Sequence, residues 1–336
     1  MRLGFGNSYY EWIEGWARIP ETESARRGWA HHGMVVSGKG EVISFHQADR
    51  KLLVFDEEGN LLRSHDTPLT EGHGMTLVRE GDTEYLWVAD NGSKRQPSLN
   101  YEYPPDAPKT SGQVVKMDLN GRIVTKLPKP DIEGYRQTRF APTSVAVDEE
   151  RFGGNGDIWV ADGYGLSYVH RFDKNGVYIG SISGEEGRAG RFDTPHAVFV
   201  DRRKGHPELY VADRTNKRVQ VYGLDGRFIR AFGSDFLTSP SAFAVDRDLL
   251  IIAELRARLA VVDMDDNLVT YLGNNQEVCS GDGWPNRKLA NGQIVRSDLL
   301  QPGKFNSPHG LATDDAGNIY VAEWLIGGRT IKLLKK

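Results

Sequence analysis

Cysteine is nearly absent: Cys279 is the single one in 336 residues, so no disulfide can form within the chain. A reducing compartment fits that composition, and a cytoplasmic protein is the expectation. No apolar run is long enough to span a bilayer as a helix, and Met1 to Gly15 carry aromatic and acidic residues without an apolar core. Neither a signal peptide nor membrane association is therefore expected. Positive charge is not in excess, since 42 Lys and Arg stand against 46 Asp and Glu, a net charge of −4. A phosphate-binding surface needs net or clustered positive charge, so nucleic acid is not an expected partner. The terminal pair Lys335 and Lys336 reads as a solvated tail. Helical periodicity is scarce as well, which argues against a βαβ fold.

What the chain has is repetition. A small or Pro-flanked start leads into a short apolar strand ending near Asp, then into an apolar strand ending in Val-Ala-Asp. Gly72–Val78 leads to Leu86–Asp90, Pro142–Asp148 to Ile158–Asp162, Pro195–Asp201 to Leu209–Asp213, Pro240–Asp246 to Ile251–Glu254, and Pro308–Asp314 to Ile319–Glu323. A less regular copy starts at His32 and runs through Val42–Phe45. Third strands follow at Leu52–Asp56, Val114–Asp118, Tyr168–Asp173, Val219–Tyr222 and Leu259–Asp263. Each is followed by a Gly- or Asn-rich turn such as Asn120-Gly121 or Asp225-Gly226, which supplies the positive φ of a tight hairpin. Fourth strands such as Val177–Ile182 and Phe228–Phe232 complete units of about 40 residues, the spacing of propeller blades.

The expected fold is all-β, a single six-bladed β-propeller domain over residues 1–336. The last unit has only three strands of its own, so the segment Tyr10–Pro20 is expected to supply its outer strand and close the ring, hiding two sheet edges. Two stretches break the rhythm: an insertion at Ser93–Ser111 in blade two, including Pro108, and a connector at Asn274–Pro302 between blades five and six. Loops of that length either act as lids and binding loops or are tolerated surface insertions.

The first strand of a blade lines the central channel, so equivalent positions point at one axis. That position holds His32, His73, Thr143, His196, Ser241 and His309 in blades one to six. Four of nine histidines thus share one register. His73, His196 and His309 come from alternate blades, about 120° apart in a six-fold ring. Three imidazoles converging so form a facial site with a further position open, as catalytic zinc requires, and they suit zinc or another divalent transition metal better than calcium. The plainer alternative is that channel histidines bond buried water. His32 is a fourth candidate, as ligand, water-orienting group or acid–base. Tyr164 after Ala161-Asp162-Gly163, and Arg214 after Ala212-Asp213, occupy the axial ends of blades three and four; His46 and Arg50 lie in the matching part of blade one. Strand-ending Asp90 and Asp162 read as structural, bonding loop amides.

The repeats resemble the NHL type, and the ordered set resembles the peptidyl-α-hydroxyglycine α-amidating lyase family. The matching segments are Glu71-Gly72-His73-Gly74-Met75, Ala141–Asp148 with Ala161–Tyr164, Thr194-Pro195-His196 with Val211–Arg214, and Ser307-Pro308-His309. The resemblance implies zinc held by His73, His196 and His309, Tyr164 as general base or oriented hydroxyl, and Arg214 as a clamp on a substrate carboxylate. Arg50 matches the family's other arginine only approximately, because the insertion that carries that arginine is missing here. Gly310 stands where the family has a calcium-binding aspartate, which argues against calcium, and His32 has no counterpart. The implied reaction is metal-dependent cleavage of a small N-acyl α-hydroxyglycine-type substrate, a carboxylate-bearing small molecule, into an amide and glyoxylate. Two rivals remain from the residues: another metal-dependent propeller enzyme (hydrolase, lactonase or sugar dehydratase), and a non-catalytic NHL scaffold.

Overall fold

Five of the repeats become four-stranded antiparallel sheets and the sixth a five-stranded one in the computed structural model, which describes residues 2–6, 8–107 and 110–336. Six such sheets make a six-bladed β-propeller. The sequence dictates the strand roles. Second strands are apolar on both faces because both faces are covered: every residue of Glu208–Asp213 is buried. Outer strands alternate, as in Phe228–Phe232, with one face covered and one in water. The hairpin before that strand turns at Asp225-Gly226, where Gly226 has a φ of 88° and Asp225 accepts from the Arg227 amide.

The chain divides into two compact units. One comprises Met1–Asp66, Lys94–Pro104 and Ser241–Lys336; the other comprises Thr67–Ser93 and Pro105–Pro240. The first holds blades one, five and six. Blade six is built from Pro308–Thr313, Ile319–Glu323 and Thr330–Lys335, and Ser8–Glu14 pairs along its last strand, with Trp12 opposite Leu333 and Tyr10 opposite Lys335. Arg2–Phe5 adds a fifth strand. The closing strand is therefore shorter than Tyr10–Pro20. Gly15, at a φ of 60°, turns the chain out of the sheet. Trp16 then packs against Tyr320 and Phe55, with ring centroids 4.9 and 5.8 Å away. Tyr10 and Trp12 are buried among Ile251, Leu259, Phe305 and Leu333. Each such ring contributes about 4–6 kcal/mol of gross transfer free energy.

The second unit holds blades two, three and four, with cores centred on Val145, Val160 and Phe172 and on Trp159, Val198 and Tyr222.

The long stretches are ordered where described; Pro108 lies outside the described residues. Tyr101 of the insertion is buried in the first unit, 5.6 Å and edge-on to Trp29, and donates its hydroxyl to Arg27 O. The connector holds a 3-10 turn at Gln276–Ser280 and a ribbon pairing Asn286–Lys288 with Ile294–Arg296. Asn100 joins the two segments, donating to Gly292 O and accepting from Ile294 N.

Candidate metal centre

The acids that end the second strands hold the entry loops of the first strands. Asp90 accepts from the Thr70 and Glu71 amides, Asp162 from Ala141 N, Asp213 from Asp193 N, and Glu323 from Asn306 and Ser307 N. Those amides lie two or three residues before His73, Thr143, His196 and His309. In blade one His46 takes the acid's place, its Nδ1 accepting from Ala48 and Asp49 N. Burial holds His46 below the ordinary imidazole range, which keeps that acceptor available.

Each of the three alternating histidines sits at an irregularity in strand pairing. Register shifts fall between Gly72 and Met75, between Pro195 and Ala197, and between Pro308 and Gly310. A bulge re-aims the side chain at the extra position. In the second unit the His73 and His196 rings lie 4.8 Å apart. His73 Nδ1 donates to Thr143 O at 2.6 Å, a tautomer in which Nε2 is the unprotonated ring nitrogen. His196 Nε2 is 3.0 Å from Tyr164 Oη, and Arg214 Nη1 donates to the same oxygen at 3.3 Å. Tyr164 stands in a tight loop over Asp162, which accepts from Leu166 N at 2.6 Å. The Arg214 guanidinium also lies 5.4 Å from the Tyr164 ring.

In the first unit His309 Nδ1 faces His32 O at 3.3 Å, the same arrangement as His73 and Thr143. His31 lies 4.6 Å from the His309 ring and 6.0 Å from Trp324. His31, His73, His196 and His309 are all buried, and each offers a ring nitrogen able to ligate a metal.

His73, His196, His309, Tyr164 and Arg214 thus fall in two close sets, and His31 joins them where His32 was the candidate. The His32 ring turns to Ser44 Oγ at 2.9 Å. In blade one the strand pairing begins only at Met34, so His31 and His32 both lie ahead of the strand rather than at a bulge within it. The His31-His32 doublet was the available signal: no other blade has a histidine before that position. Arg50 is exposed, in the turn before Lys51–Phe55.

Behind the Tyr164 loop, Tyr135 Oη donates to Asp162 at 2.6 Å and lies 2.7 Å from His170 Nε2; His170 Nδ1 meets Ser181 Oγ at 2.7 Å. Burial pushes Asp162 up to about 6 and His170 down to about 3. Their pH effects oppose one another. Asp162 binds its proton more tightly when folded, so its contribution is present at low pH and lost as pH rises through 6. His170 resists protonation when folded, so its contribution is present above its ordinary value and lost as pH falls toward 3. The His170 shift is the larger, and after the opposing Asp162 contribution acid is expected to remove about 2 kcal/mol of stability between about pH 6.5 and 3. In His170→Gln the fall of Tm from neutral to acidic pH should flatten; a slope equal to wild type would contradict this assignment.

No protein-family model matches the chain. Human NHL repeat-containing protein 3 is 30% identical over 262 residues, 74% of this chain and 68% of that one. The chain belongs to the NHL repeat-containing protein family. A Caenorhabditis elegans relative, a probable peptidyl-alpha-hydroxyglycine alpha-amidating lyase, is 28% identical to this NHL-repeat chain over 223 residues, 56% of this chain and 54% of that one. The chain spans about a quarter to a half of the length of the amidating relatives it matches. Among solved structures, a streptogramin B lyase superposes with a TM-score of 0.58 at 14% identity, covering 97% of this chain and 98% of that one, a likeness of fold. Among the described residues no helix is long and apolar enough to cross a membrane.

Proposed function

We propose that this NHL-repeat propeller is a metal-dependent lyase that splits the C–N bond of a small N-acyl α-hydroxyglycine-type substrate. The observation that supports it most is the line from Arg214 through Tyr164 to His196, with His73 beside it. A cation, a proton carrier and a metal-ligating imidazole stand within contact of one another.

The residues fit a zinc-like ion. The donors are buried imidazoles, and the Nδ1 contacts of His73 and His309 to carbonyls fix Nε2 as the ligating atom. His73, His196 and His309 would hold the ion. When bound, it supplies Lewis acidity to a substrate hydroxyl, lowering its pKa. Arg214 pairs with the substrate carboxylate through two parallel hydrogen bonds. Tyr164 Oη accepts the hydroxyl proton and passes its own to the departing amide nitrogen. The C–N electron pair leaves with that nitrogen, so the products are a primary amide and glyoxylate and no oxidant is needed. The name of the C. elegans relative is consistent with this chemistry. A cytoplasmic setting belongs to the same reading, because a single cysteine, Cys279, leaves the chain without an internal disulfide.

The direct test is incubation of zinc-loaded protein with N-benzoyl-α-hydroxyglycine. Glyoxylate and benzamide should form in equal amounts, faster than without protein. Release at the uncatalysed rate would rule the reading out.

A further inference from the structure

Unpartnered polar atoms gather in one place. Among the described residues, ten buried side-chain nitrogen or oxygen atoms lack a hydrogen-bond partner; six of them belong to Trp29, Arg95, Asn286, Asn306 and Trp324, all in the first unit. These residues form one connected patch. The Trp29 ring lies 5.1 Å from Trp324, and the Arg95 guanidinium lies 5.1 Å from the Trp29 ring. Trp29 bridges Ile326, whose amide donates to Asn286. Ser307, next to Asn306, bonds Trp324 through both its carbonyl and its hydroxyl. The patch reaches the histidines, since Trp324 lies 6.0 Å from the His31 ring.

Buried polar atoms are nearly always paired, and leaving them unpaired is costly, so a concentration of them calls for a ligand. Five of the six are N–H donors: Trp29 Nε1, Arg95 Nε, Asn286 Nδ2, Asn306 Nδ2 and Trp324 Nε1. Asn306 Oδ1 is the one acceptor. The complement of such a surface is rich in acceptors and flat enough to lie on two indoles.

We infer that this patch is the subsite for the acyl half of the substrate, a planar apolar acyl group carrying carbonyl oxygens. The inference rests on the lyase reading and adds to it the substrate class. Arg95 comes from the blade-two insertion and Asn286 from the connector, the two segments that Asn100 clasps together. The ligand's carbonyls accept from the N–H groups of the patch.

The test compares binding of two unreactive analogues, N-benzoylglycine and N-acetylglycine, to zinc-loaded protein by calorimetry. Wild type should bind the benzoyl compound about ten-fold tighter. In Trp324→Leu, which removes the flat indole surface, and in Arg95→Met on the insertion, that ratio should fall to about one- to three-fold. Zinc content should hold. A ratio unchanged in both variants overturns the subsite and leaves the lyase reading standing. Binding of neither compound by zinc-loaded wild type overturns the lyase reading, and the subsite with it.

Discussion

Alanine at His73, His196 or His309 is expected to lower bound zinc from about one per chain to near zero, because a three-protein-ligand site cannot hold the ion with two. The structure explains why each should matter equally. Each histidine sits at a pairing irregularity that turns it out of the strand. Two of the rings are further fixed by main-chain carbonyls, Thr143 O and His32 O, which no side-chain substitution removes. Elemental analysis of purified variants beside wild type is the measurement. His32→Ala should keep its metal, since that ring bonds Ser44. His31→Ala separates two kinds of site. We expect it to keep the metal, with three histidines ligating and a position open for substrate. Loss of zinc from His31→Ala as well would mean four protein ligands, the closed arrangement of a structural site, and would count heavily against catalysis. Zinc retained in His73→Ala would contradict the site altogether.

The second large effect concerns Tyr164. Phenylalanine there should lower kcat by about 10²–10⁴, the usual worth of a positioned proton carrier, while zinc content and KM hold. The ring stays and the oxygen between His196 Nε2 and Arg214 Nη1 goes. Arg214→Lys should instead show mainly in KM, because an ammonium cannot form the paired hydrogen bonds of a guanidinium with a carboxylate. The loss is mixed if Arg214 also orients Tyr164, and the two contributions separate in the double variant, whose kcat should match Tyr164→Phe alone. Turnover in Tyr164→Phe equal to wild type would remove the proton role and leave Tyr164 as a wall of the pocket.

Much of this was readable in the residues, for a physical reason. Blades repeat because each sheet must bury both faces against neighbours, so the same apolar phrase recurs and its period counts the sheets. The register of His73, His196 and His309 was legible because one fold position recurs with one residue type. Where the backbone departs from the repeat, the reading slipped. In blade one the strand begins only at Met34, after both histidines, and the metal-capable group includes His31 where His32 was expected. His46 replaced the strand-ending acid, an exchange visible only once its Nδ1 was seen accepting two amides. Arg50 followed from counting along a blade whose turn leaves it in solvent. The destination of Lys94–Pro104 was not legible either. A loop's resting place is set by what it meets, here Trp29, and no local pattern encodes that.

The pairing of Ser8–Glu14 with Thr330–Lys335 gives the chain a seam rather than two ends: Lys336 N donates to Tyr9 O at 2.8 Å. The order in which the blades are numbered is then a matter of where the peptide happens to be cut. Moving the cut to a surface hairpin such as Asp225-Gly226, with the old ends joined, would preserve every strand pair. Opening the seam would do the opposite. It would bare the Thr330–Lys335 edge as a template for another chain, so Ser8–Glu14 guards the protein against self-association as well as completing a sheet.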